Sequence, residues 1–233
     1  MDLHAEYSRI QQIAKTAMAQ CATRITAGMS LARLRAFVEQ SMLAMGADGF
    51  WYWGIGALVH SGTDTVASGS GKRYRTPDAT IADNDLVTVD LSPRIGKIWG
   101  DYARTFAIQD GAVVADPHRL RNAQWRDGLL LQECLHDRLR AYVAPDMTFE
   151  QLHAQANRWI ADSGYRNADF LGNLGHSIAT AKRKRIYIER GNRARLDSVR
   201  YFTFEPHIVP LGGVYGFKRE DIYYFSDGVL QTL

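Results

Sequence analysis

Two neighbouring β-rich segments, each carrying one aspartate, constrain this chain most. Leu86-Val87-Thr88-Val89-Asp90-Leu91 is the first, and Ile98 to Ile108, with Asp101 inside it, is the second. Ser92-Pro93 and Gly96 lie between them, so an antiparallel hairpin is expected. Centred between Ile95 and Gly96, that hairpin sets Asp90 directly opposite Asp101, with Cβ atoms roughly 5 Å apart. Two carboxylates at that distance repel by about 3 kcal/mol at an effective dielectric of roughly 20. Val87, Val89, Ile98 and Phe106 mark the sheet as buried, which raises the penalty. A shared proton, a basic partner or a metal ion has to offset it.

Glu205 and Glu220 repeat the arrangement. A hairpin centred on Gly212-Gly213 sets them opposite each other, although so long a connection holds register less firmly. Either acid pair alone is also explained by solvated strand faces or salt bridges. Both together favour a cation site, and a donor set rich in oxygen suits hard or borderline ions. His176, in Asn173-Leu174-Gly175-His176-Ser177-Ile178, is the candidate nitrogen ligand, because small neighbours allow close approach. A structural histidine is the alternative.

The remaining segments predict an α+β fold. Helical periodicity covers residues 4–28. Ser30 caps a second helix that Gly46 ends, Asp116-Pro117 opens a long helix reaching about Val143, and Thr148 with Gln151 forms a capping box for a fourth. Strands are expected at 48–60, 186–189, 199–208 and 213–225, and a long loop at 61–84. The halves 1–112 and 113–233 share a layout of helix, capped helix and strands. Internal duplication and chance similarity of two helix starts both account for that.

The 233 residues suffice for a single domain, and 46% hydrophobic with 23% charged residues is ordinary for a globular chain. A net charge of +3 gives no case for nucleic acid. No apolar run is long enough to cross a membrane. No secretion signal is visible, and Cys21 and Cys134 lack a CxxC pattern, so a cytoplasmic location is expected.

The acidic motifs resemble those of the M24 metallopeptidases, the group of methionine aminopeptidase, aminopeptidase P, prolidase and creatinase. Leu86 to Leu91 followed by Gly100-Asp101-Tyr102-Ala103-Arg104-Thr105-Phe106 looks like their paired-aspartate signature. Gly175-His176-Ser177-Ile178 resembles their histidine element, and Phe202-Thr203-Phe204-Glu205-Pro206 and Arg219-Glu220-Asp221 resemble their two glutamate motifs. The resemblance implies a pita-bread fold, in which related α+β halves flank a curved, mainly antiparallel sheet. It also implies two divalent metal ions, Mn, Co, Fe or Zn. Asp90 would hold one ion, His176 and Glu205 the other, and Asp101 and Glu220 both. The implied chemistry is attack on an amide C–N bond by a hydroxide bridging the ions.

The chain departs from the family pattern after His176. Where a further histidine is usual, it reads Ala179-Thr180-Ala181-Lys182-Arg183-Lys184-Arg185. His60 and His207 are candidates for that catalytic role, with ordinary hydrogen-bonded side chains as the alternative. The basic run is either a solvated loop or a source of substrate contacts, with Arg183 and Arg185 suited to a carboxylate. Trp51, Tyr52 and Trp53 are candidates for the pocket wall, with Trp53 as a substrate contact; core packing or a subunit contact is the alternative. Within this sequence no counterpart of the extra N-terminal domain of prolidase or creatinase is read, so an exposed cleft, or one completed in a homodimer, is expected. Three functions are compatible: an aminopeptidase or Xaa-Pro-peptidase acting on peptides, a creatinase-like enzyme acting on a small anionic amide, or a binding protein that has lost catalysis.

Overall fold

Four helices carry the apolar stripes that the sequence displays. The computed structural model describes residues 2–178 and 181–233. Helix α1 (Leu3–Arg24) starts where the Asp2 side chain accepts from the His4 N–H, and it buries Tyr7, Ile10, Ile13, Ala14, Ala17, Met18 and Cys21 together with one polar residue, Gln11. It stops short of the expected residue 28 because Thr26 and Ala27 turn to bond the Gly111 carbonyl. Helix α2 (Leu31–Ala44) is capped by Ser30, and Gly46 takes a φ of +102° just beyond it. Helix α3 (Ala123–Tyr142) is capped by Asn122; Asp116-Pro117 opens only a short 3₁₀ turn at Pro117–Arg119. Helix α4 (Phe149–Asp162) has the capping box of Thr148 and Gln151.

The strands pair antiparallel. One sheet orders Ala57–Ser61, Asp85–Leu91, Tyr102–Gln109 and Ala112–Val113. Another orders Val229–Thr232, Asp221–Ser226, Tyr201–Phe204 and Ser177–Ile178. Smaller sheets group Phe217–Lys218 with His207–Pro210 and Tyr165–Asn167, and Gly49–Phe50 with Pro93–Ile95 and Ile98–Trp99. One hydrophobic core lies mainly beneath α1 and α2, and a second beneath α3 and α4.

Several expected elements differ. The expected strand 48–60 is broken by a turn at Trp51–Gly54, where Trp53 takes a φ of +57°. The segment 186–189 forms only the bridge between His176 and Tyr187. The first hairpin turns two positions later in pairing register than expected. Ile95 faces Ile98 across Gly96 and Lys97, so Asp90 lies opposite Ala103 and not Asp101. Asp101 then sits diagonally from Asp90. The glutamate hairpin has the expected register: Phe204 faces Asp221 and His207 faces Lys218, with Glu205 and Glu220 between these pairs.

The two halves join where the acids are. A bridge links Ala103 to Glu220, and the Glu220 N–H donates to the Ala103 carbonyl at 3.0 Å. Arg104 reinforces the seam by donating to the Glu220 carbonyl at 2.7 Å and pairing with Asp221 at 2.7 Å.

Candidate metal centre

Each acid or histidine at this seam is held by its own local device. Gln11 reaches from α1 to the Asp101 backbone, donating to its carbonyl at 2.7 Å and accepting from its N–H at 3.2 Å. The Trp51 indole donates to the Gly100 carbonyl at 2.9 Å. At Gly175 a Cβ would collide with the Thr203 carbonyl, so only glycine lets these two segments close. Through that approach the His176 N–H donates to the Thr203 hydroxyl at 3.0 Å, and the same hydroxyl donates to Glu205 Oε1 at 3.3 Å. One threonine thus ties a histidine to a glutamate.

Donor atoms of Asp101, His176 and Glu220 lie within 4.8 Å of one another, and all three residues are buried. His176 Nδ1 donates to the Ser177 carbonyl at 3.2 Å. A carbonyl only accepts, so Nδ1 carries the proton and Nε2 presents a lone pair. That lone pair faces Asp101 Oδ2 at 3.5 Å and Glu205 Oε1 at 3.7 Å. These separations are too long for hydrogen bonds. They match ligands placed about 2.1 Å from one ion at a tetrahedral angle, which stand about 3.4 Å apart. Both Glu220 carboxylate oxygens are buried without a hydrogen-bond partner, an expensive arrangement for an acid facing only protein. The donor set fits a divalent cation, with the second His176 nitrogen anchored on the backbone as metal-binding histidines require.

Burial raises Asp101 and Glu220 well above the usual carboxylate range, and the neighbouring acids add to it: Asp90 and Glu205 for Asp101, Asp101 and Glu205 for Glu220. Burial lowers His176 to about 4, so it is neutral at pH 7. Lys218 stands between Asp90 and Glu205; burial still raises Asp90, although Lys218 opposes it. Its Nζ lies 2.6 Å from Asp90 Oδ2, 2.9 Å from Glu205 Oε2 and 4.0 Å from Glu220 Oε2. Burial pushes Glu205 up, but Lys218 and His176 together draw it below its ordinary value. Burial would likewise lower Lys218, yet Asp90, Glu205 and Glu220 raise it well above the usual range.

The centre opens into a cleft of about 940 Å³, within the size range of small-molecule sites. His60, His207, Arg185 and Trp53 all line it. His207 Nε2 donates to the Thr65 carbonyl at 2.8 Å, leaving Nδ1 as an acceptor, and burial holds the ring near a pKa of about 4. His60 is half-buried, its Nδ1 has no hydrogen-bond partner, and burial lowers its pKa. The Arg185 guanidinium lies 5.0 Å from the Trp51 ring centre and 5.4 Å from that of Tyr187. Arg183, by contrast, is exposed to solvent and does not line the cleft; Ala179 and Thr180 of the same stretch lie outside the described residues. Trp53 is 58% exposed at the rim. The 61–84 loop forms one wall and is latched to the opposite half: Thr65 accepts from His207 and from the Gly216 N–H, and Ser68 accepts from the Phe170 N–H.

Sequence reasoning passes over Lys218, Gln11 and Thr203. Lys218 lies two positions before Glu220, a spacing that puts both on one strand face. Gln11 is the polar intruder in the buried stripe of α1. Thr203 carries no comparable signal, since its hydroxyl matters only once Gly175 is beside it.

A family model described as metallopeptidase family M24 matches residues 5–227. The chain belongs to that family, and its architecture is the family's pita-bread fold. An X-Pro aminopeptidase from Thermotoga maritima aligns at 19% identity and a TM-score of 0.79, covering 98% of this chain and 60% of that one. Prolidase from Pyrococcus furiosus aligns at 21% identity and a TM-score of 0.77, covering 96% and 61%. A dipeptidase from Mycobacterium ulcerans aligns at 21% and 0.76, covering 98% and 56%. The chain thus spans about three fifths of the length of these proteins. No curated protein sequence matches it. Among the described residues no helix is long and apolar enough to cross a membrane.

Proposed function

We propose that this chain is a metal-dependent hydrolase of amide C–N bonds, with peptides as its substrate class. The observation that carries the reading is the cluster of Asp101, His176 and Glu220, in which a bare imidazole nitrogen converges with two buried carboxylate oxygens that accept no hydrogen bond. Asp101, His176 and Glu220 would hold a divalent ion there, and such an ion would supply Lewis acidity toward an amide carbonyl. Glu205, kept ionised by the Lys218 ammonium, is the group placed to take a proton from an attacking water. His207 and His60, both neutral at pH 7, offer hydrogen bonds to the substrate amide from the cleft wall. Arg185, held against two aromatic rings, pairs with a substrate carboxylate. Trp53 supplies an apolar rim.

A second reading, a non-peptidase hydrolase of a small anionic amide, is favoured by the charge of the cleft. Lys72, Arg73, Arg75 and Arg185 line it, against Asp169 as the acid outside the centre. One screen separates the readings. Protein loaded with Mn²⁺, Co²⁺, Fe²⁺ or Zn²⁺ is offered a peptide library and a panel of carboxylate-bearing small amides. Peptide cleavage that falls at least about 100-fold in Glu220→Gln, beyond what loss of an outer-shell partner costs, supports the first reading. Turnover of the small amides alone supports the second. No turnover with any ion overturns both and leaves a binding protein.

A further inference from the structure

Lys218 places its ammonium directly among the acids of the centre. It does not sit at random among the four acids. Its ammonium bonds Asp90 Oδ2 at 2.6 Å and Glu205 Oε2 at 2.9 Å, whereas Glu220 Oε2 is 4.0 Å away. The converging donors of Asp101, His176 and Glu220 form a separate group, and Asp90 is not in it. The acids are therefore partitioned. One place is fitted with a protein-borne ammonium, and the other presents carboxylate oxygens without hydrogen bonds and a bare nitrogen. We propose that this centre takes one divalent ion, on Asp101, His176 and Glu220, and that the Lys218 ammonium stands in for the second ion on the Asp90 side.

Space and charge both favour this occupancy. A divalent ion sits about 2.0–2.2 Å from carboxylate oxygens, so an ion on Asp90 that also approached Glu205 would overlap the Lys218 nitrogen. Yielding that place would cost Lys218 its two short ion pairs with Asp90 and Glu205, and its backbone is pinned as well. Its N–H donates to the Thr105 hydroxyl at 2.9 Å, and its carbonyl accepts from the same hydroxyl at 3.2 Å. One ammonium and one divalent ion supply three positive charges to four carboxylates, so a second divalent ion is not needed to keep the acids from repelling one another.

The inference rests on the metal-hydrolase reading, and its test tells the two apart. Wild-type protein, Lys218→Ala and Glu220→Gln are equilibrated with excess Mn²⁺ and freed of unbound ion. Bound metal per chain is then measured by elemental analysis, and ion–ion coupling by electron paramagnetic resonance. The expected result is one ion per chain in wild type with the spectrum of isolated Mn²⁺. Lys218→Ala is expected to bind two with an exchange-coupled spectrum, and Glu220→Gln to lose the ion. Two coupled ions in wild type would overturn the inference while leaving the hydrolase reading intact, and that measurement needs no variant to fold. A single ion in both wild type and a folded Lys218→Ala would remove Lys218 from the explanation and overturn the inference too. No ion in any of them would sink both readings.

Discussion

At the scale of single residues, the centre depends on groups outside the cluster of Asp101, His176 and Glu220. Gln11 is the clearest. Its amide closes two hydrogen bonds on the Asp101 backbone from inside the apolar face of α1. Gln11→Leu keeps the volume but strands a buried N–H and a buried carbonyl, at about 1–3 kcal/mol each for the loss of a partner. It also frees Asp101 to turn away from His176. The expected outcome is a lower urea midpoint together with a metal affinity weakened by about 10–100-fold, the usual range for a supporting group. A loss of stability with unchanged affinity in a metal titration would show that Gln11 serves the core alone.

At the scale of elements, α3 is tied to the strand behind the centre through His136. This ring is fully buried; Nδ1 lies 2.7 Å from the Tyr223 hydroxyl and Nε2 lies 3.3 Å from the Arg219 carbonyl. Burial, opposed in part by Asp221, lowers its pKa to about 3, whereas in an unfolded chain it titrates near 6.5. The folded value is depressed, so the stability tied to neutral His136 is present above about pH 6.5 and is lost as pH falls toward about 3. His136→Gln cannot take up that proton. Its urea midpoint should therefore fall less steeply than that of wild type over this window, and parallel slopes would refute the assignment.

The same scale shows how far the sequence could be read. Caps were legible because Ser30, Thr148 and Gln151 act on their own helices. The glutamate hairpin was legible because its pairing runs evenly from both sides of Gly212-Gly213. The aspartate hairpin was not, because Gly96-Lys97 make the tight turn, a choice that side-chain pattern alone does not mark. The expected strand at 48–60 failed at Trp51–Gly54, where aromatic residues of high strand propensity serve a turn and a cleft wall. Lys218 stayed hidden because a basic residue beside an acidic motif reads as surface charge until the fold carries it inward.

At the scale of the molecule, an ion at the proposed centre would link elements that belong to different halves. Asp101 comes from the sheet nearer α1, and His176 and Glu220 come from the region nearer α3 and α4. A ligand bound to the folded state alone stabilises it by about 2.7 kcal/mol at a hundredfold excess over Kd. For a chain of this size that corresponds to a rise in Tm of roughly 5–10 °C. Thermal scans with Mn²⁺ and with a chelator should differ by this amount in wild type and coincide in Glu220→Gln. Coincidence in wild type would mean that no ion bridges the halves.

The latch at Thr65 bears on how such a chain comes to be folded. Its carbonyl meets His207 142 residues further along, and its hydroxyl meets Gly216 151 residues further along. Contacts this distant raise the contact order and slow the search for the native topology. In synthesis from the N-terminus, the wall of the cleft is among the earlier segments to emerge, yet it waits for nearly the whole chain before its partners exist. The Thr65 latch is therefore expected to form late, once the segments carrying His207 and Gly216 are in place.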